Sequence, residues 1–125
     1  MLTLQGWPFT YNLTMATQND RADAIEDLDQ RIWLTVIAIP AGKIATYGDV
    51  AERAGIPGTA RRVGAALRKL PKGSKVPWHR VVNASGKSSL PPGTAGADQQ
   101  RARLADEGVL LGAGGSAVLR KYRWK

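Results

Sequence analysis

Apolar residues recur at three- and four-residue steps between Asp20 and Ala38, where one helical face collects Ile25, Leu28, Ile32 and Val36. This period predicts an amphipathic helix, which the following proline and glycine would end. Residues 1–19 show no sustained period and are expected to form an N-terminal extension of uncertain order. We therefore expect one domain over residues 20–125, since a chain of 125 residues is too short for two comfortable cores.

Two short helical patterns follow, separated by a Gly-Ile-Pro-Gly turn. Thr46 and Asp49 have the spacing of a capping box, which predicts a helix over Tyr47–Ala54. Thr59 is expected to cap a third helix that runs to about Lys69, just before a proline. Two short helices joined by a tight turn form a helix-turn-helix pattern, although helical hairpins without a DNA function are common.

The second half of the chain predicts less regular structure. Val-Pro-Trp-His-Arg-Val-Val at 76–82 predicts a loop that enters a short strand, and a polar loop rich in Gly, Ser and Pro follows at 83–96. A last helix is expected over Asp98–Glu107, and residues 117–124 could pair as an edge strand. The fold class expected is mainly α, a helix-turn-helix domain with a small strand element.

Charge is unevenly distributed along the chain. The formal net charge is +8, yet residues 1–30 carry five acids and one base, which leaves +12 for the rest. Nine Lys or Arg residues and no acid lie between Arg53 and Ala97. Because like charges repel, a single-sign segment of this length indicates a polyanionic partner, and nucleic acid is the leading one.

Several function classes are excluded or made improbable by composition. The chain has no cysteine, so disulfides, thiolate zinc sites and thiol chemistry are excluded. A single histidine disfavours a histidine metal site, and we expect neither a metal nor a cofactor. No long apolar run and no secretion signal appear, so we expect no membrane partner and a cytoplasmic, nucleoid-associated location.

The third helix has two distinct faces on a helical wheel. Its core face collects Val63, Ala66, Leu67 and Leu70. The opposite face carries small residues at its centre and cationic residues along its edges. The candidate DNA-binding residues on this face and its flanks are Arg61, Arg62, Gly64, Ala65, Arg68 and Lys69. Glycine in mid-helix costs up to about 1 kcal/mol, so Gly64 indicates a close approach, either by DNA or by another packed helix.

His79 is a candidate general base, because an unperturbed imidazole titrates near neutrality. Its neighbour Trp78 offers no nucleophilic lone pair, and no Gly-x-Ser-x-Gly signature surrounds Ser85, Ser88 or Ser89 in the following loop. A hydrolase that pairs His79 with a loop serine is one interpretation. A histidine with a structural role is the other.

Four ordered segments carry a family resemblance: IPAGKIATYGDVAERAG, TARRVGAALRK, PWHRVVNASGK and LADEGV. Together they resemble the C-terminal domain of the O6-alkylguanine-DNA alkyltransferases. They resemble still more the alkyltransferase-like proteins, in which the cysteine of the Pro-Cys-His-Arg motif is replaced, often by tryptophan. The resemblance covers about Arg31 to Val109 and implies a winged-helix-like DNA-binding domain.

The resemblance also implies roles for single residues. Trp78 occupies the position of the alkyl-accepting cysteine, while Arg61 matches the arginine that fills the gap left by an everted nucleotide. Tyr47 matches the tyrosine that promotes rotation of the nucleotide and contacts the flipped guanine. The implied structural group at the former active site is His79, Arg80 and Glu107. The implied lesion pocket, with the Ser85–Gly93 loop as one wall, comprises Tyr47, Trp78, Val81, Ser85, Pro91 and Pro92.

Two positions depart from the family pattern. Leu70 stands where the family has a hinge asparagine, and Pro91 stands where the alkyltransferases have a loop tyrosine. Without the asparagine, the C-terminal end of the third helix must be capped by other groups. The proline leaves open which contacts this part of the pocket wall makes.

The function implied is that of a damage sensor rather than an enzyme, since alkyl transfer requires a thiolate. Such a protein binds duplex DNA through the minor groove, flips O6-alkylguanine into a pocket, and flags it for nucleotide excision repair proteins. We expect it to act as a monomer. The alternative is a helix-turn-helix transcriptional regulator that reads sequence in the major groove.

Overall fold

The domain is mainly helical with a minimal sheet. The computed structural model describes residues 18–112 and 115–125. In chain order its elements are α1 (Gln18–Ile37), β1 (Ala45–Thr46), α2 (Tyr47–Arg53), α3 (Ala60–Arg68), a 3-10 turn (Trp78–Arg80), β2 (Val81–Val82), α4 (Ala95–Asp106) and α5 (Gly115–Tyr122). In the described part of the chain, no helix combines the length and apolar character needed to cross a bilayer.

Local capping signals place α2 and α3 as a helical pair. The Asp49 amide donates to Thr46 Oγ1 at 3.0 Å, and the Thr46 amide donates to Asp49 Oδ2 at 3.1 Å, so the predicted capping box is confirmed. Gly55 ends α2 with φ of 84°, a conformation that favours glycine. Thr59 does precede α3, but its hydroxyl donates to the Ile56 carbonyl in the connecting turn and does not cap the helix.

The first core cluster joins α1, α2 and α3. Ile32 and Val36 are fully buried, as the period of α1 predicts, and each such side chain contributes about 1.5–3 kcal/mol. The Trp33 indole donates to the Ala66 carbonyl at 2.8 Å, and Arg31 donates to the Ala54 carbonyl at 2.6 Å. Side chains of α1 therefore satisfy carbonyls near the C-terminal ends of both shorter helices, which fixes α3 in place.

The sheet brings the second half of the chain against α2. β1 and β2 pair in parallel, with Ala45 opposite Val81 and Thr46 opposite Val82. Because Tyr47 directly follows β1 and the 3-10 turn directly precedes β2, this short pairing brings both segments to the same region of the domain. Two separated motifs of the sequence thus meet through four paired residues.

The tail contradicts the prediction of an edge strand, because Gly115–Tyr122 forms α5. Val118, Leu119 and Tyr122 recur at helical spacing and pack on a second core cluster that includes Ile44 and Leu104. The amphipathic period thus outweighs the strand propensity of the segment. Extended backbone begins only after the helix, where a parallel bridge joins Ile44 to the residue after Tyr122.

Helix α4 starts three residues earlier than the sequence indicates. Thr94 precedes it in an extended conformation and its hydroxyl accepts a hydrogen bond from the Ala97 amide at 3.3 Å. The expected end is confirmed within one residue, since α4 stops at Asp106 and Gly108 follows with φ of 86°. A threonine is a common N-cap, but Thr94 lies in a loop rich in polar residues, so the sequence did not show that the helix begins there.

Candidate nucleic-acid interface and base-binding cavity

The cations of α3 divide into two groups. Asp29 of α1 is 5% exposed and forms ion pairs with Arg62, at 2.6 Å, and with Lys69, at 3.2 Å. The structure therefore places Arg62 and Lys69 at the contact between α1 and α3, whereas the helical-wheel pattern predicts them on the DNA-binding face. Arg61 and Arg68 are exposed on the other side of the helix.

An open cavity of about 600 Å³ adjoins this second group. It lies between α3, the start of α2, the 3-10 turn, α4 and the loop at 83–94, and its volume is in the ordinary range for small-ligand pockets. Its walls combine aromatic, aliphatic and cationic side chains and one glycine; the lining residues are Tyr47, Ala60, Arg61, Gly64, Leu67, Arg68, Trp78, Ser89, Leu90 and Gln100.

Gly64 opens the α3 wall of the cavity. A methyl group at this position would lie 3.5 Å from Arg68 Nη1 and 3.9 Å from Tyr47 Cε1, which are ordinary van der Waals distances. Helix packing within the domain therefore does not require a glycine here. Of the two interpretations of Gly64, close approach of a bound molecule fits the geometry better than close packing of another helix.

Tyr47 connects the helical pair to the polar loop. Its hydroxyl and Ser89 Oγ are 2.7 Å apart, a hydrogen bond between residues 42 positions apart in the chain. Leu90 continues this wall and its Cδ1 lies 3.1 Å from the place of a Cβ on Gly96. The loop therefore contributes one wall of this cavity through Ser89 and Leu90.

Trp78 forms the wall opposite α3, held in the first position of the 3-10 turn. Its amide donates to the Val76 carbonyl at 2.7 Å, and its ring meets the His79 ring edge-on with centroids 6.3 Å apart. The Arg103 guanidinium of α4 lies 5.8 Å from the indole centroid, within cation–π range. The indole is thus fixed on two sides.

A charged network holds the turn behind Trp78. Glu107 accepts hydrogen bonds from Arg80 at 2.9 and 2.6 Å, and its Oε2 lies 3.0 Å from His79 Nε2. Arg80 also donates to the Ile39 carbonyl at 2.8 Å. The hydrogen bonds from Arg80 lower the pKa of Glu107 from 4.5 to about 2, against the opposing effect of burial and with a further contribution from His79.

Gln100 of α4 supports the same segment and has no counterpart in the sequence predictions. It is 2% exposed, and its side-chain amide donates to the carbonyls of His79, at 3.1 Å, and Val81, at 2.9 Å. The available signal was its helical spacing with Ala97 and Leu104, which places all three on the buried face of α4.

Comparison with known proteins now decides the family. Residues 27–109 match the family model of the 6-O-methylguanine DNA methyltransferase DNA-binding domain. The chain belongs to this family. It is 47% identical over 109 residues to the DNA base-flipping protein of Escherichia coli, covering 86% of this chain and 81% of that protein. It is 40% identical to alkyltransferase-like protein 1 of Schizosaccharomyces pombe over 85 residues, 68% of this chain and 79% of that one.

A solved structure of the same yeast family member shares the fold. The complex of S. pombe Atl1 with damaged DNA containing O6-carboxymethylguanine superimposes with a TM-score of 0.69 at 35% identity. The match covers 80% of this chain and 96% of Atl1. The predicted resemblance and the fold class, a helix-turn-helix domain of this family, are therefore confirmed.

The structure brings together some of the family-derived site residues and separates others. Tyr47, Arg61, Gly64, Arg68 and Trp78 line the one cavity, and their predicted roles in binding DNA and lesion stay predictions. His79, Arg80 and Glu107 are joined in the network behind it. Ala65 is half-buried on α3 and is not among the residues lining this cavity.

Four residues assigned to the lesion pocket are not among the residues that line this cavity. Val81 is 1% exposed and belongs to the first core cluster, because its strand pairs with β1. Ser85 approaches the backbone of Gly115, where its carbonyl would clash with any added Cβ. Pro92 lines a separate cavity of about 310 Å³, and Pro91 is exposed. From this loop, Ser89 and Leu90 line the cavity.

Proposed function

We propose that this protein is a non-enzymatic sensor that binds O6-alkylguanine in duplex DNA, with the damaged base flipped into the cavity. One observation carries the proposal. Trp78, at the position of the family's alkyl-accepting cysteine, forms a wall of a 600 Å³ cavity that also includes Tyr47 and the two exposed arginines of α3. The cavity has the features of a base pocket, but its reactive atom is replaced by an aromatic ring.

Alkyl transfer has no acceptor at this site. Transfer requires a thiolate that attacks the alkyl carbon and keeps the group, and the chain contains no cysteine. The hydrolase alternative also lacks support, because in the described part of the chain no serine hydroxyl forms a hydrogen bond with the His79 ring, and the hydroxyl of Ser89 is paired with Tyr47 instead. The lesion is therefore held and not converted.

Binding uses the exposed face of α3. Arg61 and Arg68 give this face a positive charge that attracts the duplex, and the glycine between them allows the duplex to approach the helix backbone. An arginine inserted from the minor groove fills the gap in the base stack and supports a bent duplex. A poorly paired, alkylated guanine costs less to extrude than a normal one, which gives a first level of selectivity.

The names of the relatives support this assignment. The E. coli and Vibrio parahaemolyticus relatives are DNA base-flipping proteins, and the yeast relative is solved with damaged DNA. By the same analogy we propose that the protein acts as a monomer in the cytoplasm, associated with the nucleoid. There it flags the lesion for nucleotide excision repair proteins.

The test compares two duplexes of identical sequence, one with O6-methylguanine and one unmodified, at a single stated salt concentration. We expect tighter binding to the damaged duplex, and Arg61→Ala should weaken that binding more than tenfold, or about 1.4 kcal/mol. Arg120→Ala on α5 is the matched control for loss of one positive charge. A helix-turn-helix regulator would bind both duplexes equally, and a methyl group added to the protein in a mass spectrum would overturn the non-enzymatic assignment.

A further inference from the structure

The charged side chains that line the cavity are all positive, which base flipping by itself does not require. Its two charged lining residues are Arg61 and Arg68, and no Asp or Glu is among the lining residues. Among the side chains that the structure describes, no carboxylate forms an ion pair with either arginine, because Asp29 is occupied by the other cations of α3. Within the described part of the domain, positive charge at the cavity is therefore not neutralised by an ion pair.

Arg68 lines the cavity one helical turn after Gly64. Its Nη1 lies only 3.5 Å from where a Cβ on Gly64 would be, so the guanidinium folds back along α3 beside the Tyr47 ring. In the proposed complex Arg61 leaves the cavity to enter the base stack. Arg68 is then the cation that remains beside the flipped base.

The rest of the wall is apolar or neutral. Leu67, Leu90 and Trp78 give much of the lining an apolar surface, and the hydroxyls of Tyr47 and Ser89 are bonded to each other. A guanidinium beside such an apolar surface binds a carboxylate through charge-assisted, often bidentate hydrogen bonds. A neutral group of the same shape gains none of this charge assistance.

From this we infer that the cavity selects O6 adducts that end in an anionic group over neutral adducts of equal size, with Arg68 as the specificity-determining residue. The inference rests on the proposed function, since it assumes that the alkylated base enters this cavity. The chemical class is the carboxyalkyl adduct. The DNA in the Atl1 complex contains one such adduct, O6-carboxymethylguanine.

The experiment measures dissociation constants for four duplexes of one sequence at one salt concentration. Their central base is guanine, O6-methylguanine, O6-carboxymethylguanine or its neutral isostere, O6-carbamoylmethylguanine. The wild type should bind the carboxymethyl duplex at least about fivefold more tightly than the carbamoylmethyl duplex, roughly 1 kcal/mol. Arg68→Gln should bring this ratio close to one, whereas the matched charge change Arg120→Gln should leave it as in the wild type.

The outcomes separate the two levels of the argument. Equal wild-type affinity for the carboxymethyl and carbamoylmethyl duplexes would overturn the inference while leaving the proposed function intact. A uniform loss for all four duplexes in Arg68→Gln, with the ratio unchanged, would also overturn it and make Arg68 a phosphate contact. Failure of the wild type to distinguish O6-methylguanine from guanine would instead refute the proposed function.

Discussion

Replacement of Glu107 by glutamine tests the network that holds Trp78 in place. The carboxylate accepts two hydrogen bonds from Arg80 and a further one involving His79, and it thereby joins the end of α4 to the 3-10 turn that carries both partners. Glutamine has the same size but presents an amide donor toward groups that are themselves donors. We therefore expect Glu107→Gln to destabilise the folded domain at neutral pH.

The magnitude follows from the pKa of the carboxyl group. A shift from 4.5 to about 2 is a difference of about 2.5 pH units, and at about 1.36 kcal/mol each this gives a ceiling of about 3 kcal/mol. The side chains of Glu107 and Arg80 are 17% and 16% exposed, so solvent screening reduces this value. We expect a loss of about 2 kcal/mol in the free energy of unfolding.

The sign of the pH dependence is also determined. Because the folded-state pKa lies below the unfolded one, the stabilisation is fully present above about pH 4.5 and is lost as the pH falls toward 2. The wild type should therefore lose stability more steeply than the variant between about pH 5 and pH 3. Burial raises the pKa of Asp49, but hydrogen bonds from Arg123 and Thr46 leave it lowered, and this contribution cancels in the difference between the two proteins.

The assay is urea unfolding followed by tryptophan fluorescence at several pH values from 7 to 3. Asp106→Asn is the control, since it removes one negative charge from the exposed neighbour of Glu107. A Glu107→Gln variant within about 0.5 kcal/mol of the wild type at pH 7 would refute the reasoning. A stability difference that stayed constant down to pH 3 would refute the assigned pKa.

Three further substitutions test other parts of the structure. Gly64→Ala should stabilise the domain by about 0.5–1 kcal/mol in thermal unfolding, because the added methyl group meets no tight contact. The same variant should bind lesion-bearing DNA more weakly, and unchanged binding would contradict a close approach of the DNA to α3. Arg123→Ala removes two hydrogen bonds to Asp49, at 2.9 and 2.7 Å, on a partly exposed surface. Urea unfolding should show a loss of about 0.5 kcal/mol in the free energy of unfolding, whereas the control Arg120→Ala should show no loss. Gln100→Leu leaves two buried carbonyls without their donor and should cost about 1–3 kcal/mol in thermal unfolding, whereas an unchanged midpoint would show that the amide is dispensable.

The elements that the sequence predicted well depend on neighbours along the chain. The capping box of Thr46 and Asp49 spans one helical turn, and the buried face of α1 follows from a simple period. The tail was predicted wrongly because its short apolar run suits both a strand and a helix, and packing against the second core cluster selects the helix. The local sequence pattern alone does not determine whether this segment forms a helix or a strand.

The candidate site was predicted in part, through the family motifs. Tyr47 and Trp78 were correctly expected at one cavity, although 30 intervening residues separate them. The loop that closes the cavity was located, but Ser89 and Leu90 were missed in favour of prolines further along it. A loop rich in Gly, Ser and Pro has no period, so its composition cannot show which side chains point inward.

By itself the sequence determined the chemistry that is available: no thiol anywhere, an indole in the place of one, and a run of cations without a carboxylate. Only the tertiary structure decided which cations at α3 pair with a carboxylate in the described part of the chain. Asp29, 40 residues before Lys69, neutralises one edge of α3 and leaves the other edge facing the cavity. The reason is physical, since composition and local periods are properties of short segments, whereas an ion pair depends on how distant helices pack.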